Sequence, residues 1–303
     1  MLKISLTEMA SRLDRFLVTV LFFFLISVSG EGSAFPASGQ SPIKSAYSQV
    51  PFSGKVTVGY RGNDPRAVLR ALNAVRPKEK SEFETTAHYE ERLANSADVP
   101  LYGALRTSSI FAFVFPSVET PSYPGGIDPG SLEISYDADT ETMSAKLGIG
   151  SVYNDAGEHS KDIRSIVWNW ARTGRGDYIG SNAFGAIRTV KKSVSVSTGL
   201  AFSIDSPFYS GRGDWTDDFY PSPIGMTFSV PASRAKMLKK NLRVLVVASL
   251  LQPTSIEESV HREPKIDHPY DTAELGHYLH VDIQEIWLFD SSTGEVVAKA
   301  TPR

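Results

Sequence analysis

Four of the six histidines fall between residues 261 and 280: His261, His268, His277 and His280. Asp267, Asp271, Glu274 and Asp282 are interleaved with them. Neutral imidazole and carboxylate together form a competent ligand set for zinc or another transition metal. Their spacing follows no familiar ligand signature, and H-E-x-x-H is absent. Pro264 and Pro269 interrupt the segment, which predicts a loop, and a polar surface loop accounts for its composition without metal. No cofactor is predicted.

The residues from His280 onward raise a second possibility. In a strand, His280, Asp282 and Gln284 share one face, and Val281, Ile283, Glu285, Trp287 and Phe289 share the other. Glu285 then sits in an apolar row, where a carboxylate must find a cation, find hydrogen-bond donors or take up a proton. One reading is a structural ion pair with an arginine such as Arg243. The other is a general acid or base, with His280 and Asp282 as companions. Other catalytic chemistries find little support. There is no G-x-S-x-G elbow and no Walker-type loop. With no cysteine in the chain, thiol catalysis is excluded. The run from Gly174 to Gly180 has the wrong glycine spacing for a dinucleotide loop. Gly-Arg-Gly-Asp occurs at 174–177 and 211–214, where ordinary turn chemistry explains it.

Aromatic residues give the better indication of binding. Trp168 and Trp170 are expected to share a strand face with Ile166. Trp215 and Tyr220 fall in the Gly-, Asp- and Pro-rich stretch SPFYSGRGDWTDDFYPSP. Exposed aromatics beside carboxylates and amides can stack on sugar rings or grip a peptide, although aromatics serve more often as core.

Several elements must position these residues. Asp64-Pro65 opens a helix, with Val68, Leu69, Leu72 and Val75 as its buried stripe, and Pro77 ends it. Ser81 and Glu84 fit a capping box for a second helix, its apolar side formed by Phe83, Ala87, Tyr89 and Leu93. From residue 100 onward the pattern is β. Strands are expected at 55–60, 109–115, 132–136, 143–149, 163–170, 192–204, 226–230, 242–251, 278–289 and 295–299, with a short helix near 231–240. The most apolar of these strands, 242–251, should be central. The sum is a mainly β (α+β) domain over 54–303, an antiparallel β-sandwich or open barrel with a helical segment at 64–95.

The residues Pro77-Lys78, Ser81-Glu82-Phe83-Glu84-Thr85-Thr86, Tyr89 and Arg92 form an EFETT-x-x-Y-x-x-R pattern. It resembles a segment recurring in exported bacterial proteins of unknown function. The resemblance spans residues 77–92, implies bacterial export and carries no activity. Capping and a helix-surface salt bridge explain Glu84, Thr85 and Arg92 equally well.

Export is expected on independent grounds. Residues 16–28 read FLVTVLFFFLISV behind Lys3, Arg12 and Arg15. That core is the length of a signal-peptide h-region and falls short of the ~20 residues that cross a bilayer. Small residues follow, so cleavage is expected after Ala34 or near Gly30, with 35–53 as a flexible lead-in. The absence of cysteine and of any Asn-x-Ser/Thr sequon favours a bacterial periplasmic or secreted protein over a eukaryotic one. The net charge of −3 gives no footprint for nucleic acid and no polybasic patch for anionic lipid, and no second long apolar segment spans a membrane. The expected function is a non-enzymatic envelope module that binds a protein, peptide or glycan. The alternative is a metal-dependent or carboxylate-based hydrolase built on 261–285.

Overall fold

The computed structural model describes residues 47–76, 80–95, 98–115, 127–153, 159–181, 184–209, 211 and 221–302. The export segment, both cleavage positions, most of the lead-in, Trp215 and Tyr220 lie outside these residues.

Asp64 caps the first helix, α1 (Pro65–Val75), by accepting the Arg66 amide at 3.0 Å, and Val68, Leu69 and Leu72 are buried as the periodicity requires. The second helix, α2, begins later than expected, at Thr86, and runs Thr86–Asn95. Ser81 and Glu84 form a turn ahead of it, while Thr85 caps the helix through its hydroxyl and the His88 amide. Glu84 bridges Arg92 at 2.7 Å. Phe83 is exposed, not part of an apolar side. The third helix is α3 (Ala232–Asn241).

The described chain is mainly β, with ten strands: β1 (Phe111–Phe115), β2 (Leu132–Asp137), β3 (Thr142–Leu147), β4 (Gly150–Tyr153), β5 (His159–Ser181), β6 (Ile187–Ser203), β7 (Ile224–Ser229), β8 (Leu242–Arg262), β9 (Tyr270–Asp290) and β10 (Val296–Lys299). β1-β8-β9-β6-β5-β4 form one sheet, with β10 added beside β9, and β2-β3-β7 form a second. Two expectations are corrected here. Residues 55–60 form a turn, with Gly59 at φ 68°. The large sheet is mixed, because β6 and β9 pair in parallel from Lys191↔Tyr270 to Ala201↔His280. Two sheets face each other without closing into a barrel.

Burial explains the arrangement. The largest core joins Phe111, Phe113, Val244, Val246, Leu279, Ile286 and Leu288 of the large sheet to Met143, Ala145, Leu147 and Met226 of the small one, with Leu69 and Leu72 of α1 at its margin. The apolar first half of β8 lies inside the sheet, where residues 244–248 are fully covered between β1 and β9. On the opposite face Ala112, Leu245, Val247, Trp287 and Phe289 are covered by Phe52, Val56 and Tyr60. The sheet also curls. Its far edge, β4, returns over β8, where the Tyr153 amide donates to Glu258 Oε2 at 2.8 Å.

Candidate functional site

Strand register aligns four polar side chains across the large sheet. Asn169 of β5 pairs with Thr198 of β6, Thr198 with His277 of β9, and His277 with Glu257 of β8. Paired residues in neighbouring strands project to the same face, so amide, hydroxyl, imidazole and carboxylate form one row. α1 lies against this row. Arg66, Leu69, Arg70 and Asn73 close a cleft of about 220 Å³ over Thr198, Ser255, Ile256, Glu257 and His277. Arg66 and Arg70 stand one turn apart on a single helix face.

Arg66 is held in place from outside the cleft. The Arg66 guanidinium lies 4.9 Å from the centroid of the Trp168 ring and 3.7 Å from Asp64 Oδ1. Trp168 is held in turn by its indole N–H, which donates to the Val114 carbonyl at 3.0 Å, and by the edge of Tyr47. Neither Arg70 nor Glu257 forms an ion pair among the described residues. The site thus presents two guanidiniums opposite one imidazole and one carboxylate. A planar fork of N–H donors suits a carboxylate ligand, which it can hold in bidentate fashion.

The two tryptophans do not share a face, contrary to the sequence reading. The β5–β6 register shifts between Val167 and Asn169, so Trp168 is an extra residue in a β-bulge. Trp168 joins the core side with Ile166, and Trp170 turns to the other side, 55% exposed, with Arg172 over its ring.

The 261–285 residues are strung out along two strands. Most of the segment expected to be loop is ladder, since β8 reaches Arg262 and β9 starts at Tyr270. His261 Nε2 pairs with Asp271 Oδ1 at 2.8 Å, which holds the Asp271 carboxyl below its usual range. The His268 ring packs on Tyr270. His277 lines the cleft. His280 Nδ1 meets the Pro253 carbonyl at 2.9 Å, tying down the residues β8 inserts between Leu250 and Ser255. Asp267 and Asp282 are exposed. Among the described residues no three His, Asp or Glu side chains are grouped closely enough to hold a metal ion.

Glu285 also differs from expectation. A register shift at Gln284 reverses the alternation, so Val281 and Ile283 enter the main core while Glu285 joins Trp287 on the opposite face. Its partner is Lys299 at 2.9 Å, not Arg243, which donates to the Lys240 and Leu242 carbonyls. Lys299 and then the Trp287 indole hold the Glu285 carboxyl below its usual range.

Glu258 is a half-buried carboxylate. It accepts from the Tyr278 hydroxyl at 2.8 Å and from the Tyr153 amide, and burial pushes its pKa up. The signal was present in the sequence: Glu258 stands between Ile256 and Val260 at strand spacing. Arg66 and Arg70 had no such signal, because a cation on the exposed flank of an amphipathic helix is ordinary.

No family model, no curated protein and no solved structure matches the chain.

Proposed function

We propose that this chain is an exported bacterial envelope protein acting as a non-enzymatic binding module, and that the α1–sheet cleft takes the carboxylate-bearing end of a peptide or of an acidic glycan. The observation that carries this reading is the placement of Arg66 and Arg70 over the Thr198–His277–Glu257 row, with the Arg66 guanidinium stacked on Trp168. Guanidiniums supply charge-assisted donors, Thr198 and His277 supply further polar contacts, and Leu69 and Ile256 supply the apolar lining. Export is supported by the apolar run at 16–28, the small residues behind it, the lack of cysteine and the likeness of residues 77–92 to exported proteins.

The test is calorimetric titration with N-acetylated tripeptides, in free-acid and C-terminally amidated form, and with oligogalacturonate. The free-acid peptides or the oligogalacturonate bind, and amidated peptides do not. Arg70→Ala weakens the interaction roughly tenfold or more, the scale of a lost charged hydrogen bond. Equal affinity for acid and amide, or an Arg70→Ala protein that binds as the parent does, refutes the assignment. Cleavage of a probe that is abolished by Glu257→Gln would replace binding with catalysis.

A further inference from the structure

The β5/β6 hairpin extends past the rest of the sheet. β9 begins at Tyr270, opposite Lys191, so β6 residues 187–190 pair only with β5 residues 178–181. At ~3.3 Å per residue the two-stranded overhang reaches about 13 Å beyond its neighbour, before the turn is added. Exposed apolar side chains gather near its tip, Phe184 at 94%, Ile179 at 69% and Ile187 at 64%, with Ser181 and Arg188 between them. Among the described residues, six of the eleven exposed large apolar ones belong to this end of the molecule, Tyr178, Ile266 and Tyr270 being the others.

Behind the apolar tip stand cations. Residues 172–192 hold Arg172, Arg175, Arg188, Lys191 and Lys192 against a single carboxylate, Asp177, in a chain whose net charge is −3. Register places Arg188 and Lys192 on the face of Tyr178, and Arg175 and Lys191 on the other. The neighbouring β8–β9 end carries acids as well: Glu274 is paired with Arg262, Asp271 meets His261 and lies opposite Lys192, and Glu263 and Asp267 are exposed in the turn. The cations lie on two strands separated by the apolar turn and gather only when the hairpin closes.

We propose that this hairpin docks end-on to an anionic phospholipid bilayer, with Ile179, Phe184 and Ile187 entering the acyl boundary and the cations behind them meeting lipid phosphates. Two observations favour a lipid surface over a protein groove. Along the strand axis Phe184, Ile187 and Ile179 lead and four of the five cations stand behind them, Arg188 alone lying among the apolar residues, which is the order in which a bilayer presents acyl chains and phosphates. The cations also lie on both faces of the ribbon. A planar anionic surface surrounds an inserted hairpin and meets both faces, whereas a protein gripping one face leaves the other in water. This surface lies at the end of the sheet beyond the cleft and does not depend on the cleft's ligand.

Flotation of the purified protein with vesicles of phosphatidylcholine alone, or of phosphatidylcholine with phosphatidylglycerol, tests the proposal. The protein floats with the anionic vesicles, and raising salt from about 0.05 M to about 0.5 M releases it. Phe184→Ser with Ile187→Ser, and separately Lys191→Gln with Lys192→Gln, each reduce binding roughly tenfold. Thermal unfolding by circular dichroism confirms that both variants are folded, and the exposed positions make this the expected result. Equal binding to both vesicle types, which is what a retained 16–28 segment would give, overturns the proposal. So does flotation unaffected by either pair of substitutions, or failure to float at all. Self-association abolished by Phe184→Ser without any vesicle binding overturns it in favour of contact between copies of the chain.

Discussion

Glu258 occupies a position that only particular neighbours permit. Gly276 lies opposite it in the ladder, and a Cβ there would come within 2.4 Å of Glu258 Cγ and of the Tyr278 ring. Tyr278 and the Tyr153 amide satisfy the two carboxylate oxygens. Burial nevertheless disfavours the charge and raises the pKa. An acid that holds its proton more tightly in the folded chain than in the unfolded one reduces stability as pH rises. The loss starts at the ordinary carboxylate pKa and is complete above the raised one. Glu258→Gln keeps an oxygen for the amide and a polar group for the tyrosine, and carries no charge. The variant should therefore gain stability relative to the parent between about pH 4 and about pH 7. Urea midpoints at both values measure this, and a difference that does not change with pH would show that Glu258 ionises freely in the fold. Glu258 and Glu285 carried the same kind of sequence signal, a carboxylate in an apolar row. Which one became half-buried was decided by the extra residue at Gln284 and by the return of β4, and neither is written in strand alternation.

The existence of most strands was legible, and their lengths were not. β6 was expected from 192 and begins at Ile187; β8 was expected to end at 251 and continues to Arg262; β9 was expected from 278 and begins at Tyr270. The added residues are mostly polar, and in an isolated sequence Lys, Glu, His and Pro argue for loop. They form ladder because four strands extend together and satisfy one another's backbone, an outcome of pairing rather than of local preference. Bulges are equally hidden, and the one at Trp168 separates two tryptophans that alternation would unite. The structure also depends on a close approach that alternation does not reveal. Gly130, just before β2, has φ 80°, and a Cβ there would sit 1.7 Å from the Val167 carbonyl oxygen. Gly130→Ala should cost about 3 kcal/mol or more, from left-handed strain plus displacement of β5. Gly225→Ala in β7 is the control, since nothing lies within 4 Å of the added carbon and its φ is not in the left-handed region. Denaturant midpoints should separate the two, and matching midpoints would mean that β5 yields easily at Val167.

At the scale of the whole molecule, the large sheet has two regimes. Where β1, β8, β9 and β10 meet, both faces are covered and residues 244–248 are fully buried. Farther along, β1 no longer borders β8 and β4 no longer borders β5, leaving a ribbon in the order β5-β6-β9-β8 with two open edges. Its edges carry Arg172, Gly174, Arg175 and Gly176 on one side and Glu257 and Arg262 on the other, together with a second bulge at Thr173. Charges, glycines and bulges all discourage edge-to-edge pairing. Buried apolar side chains become sparse there, with Val190 and Val260 the main ones in its outer half. Opening free energy tracks the apolar area lost on opening, so the ribbon should open in steps that leave the body intact. Hydrogen exchange read by mass spectrometry should show amides of 178–181 and 187–190 exchanging first, those of 193–198 and 272–277 next, and those of 244–248 only on global unfolding. Anionic vesicles, if the hairpin docks on them, should slow the first group and leave the last unchanged. Uniform protection from 178 to 248 would mean that the ribbon is bound into the body's cooperative unit, and that the overhang is as rigid as the core that carries it.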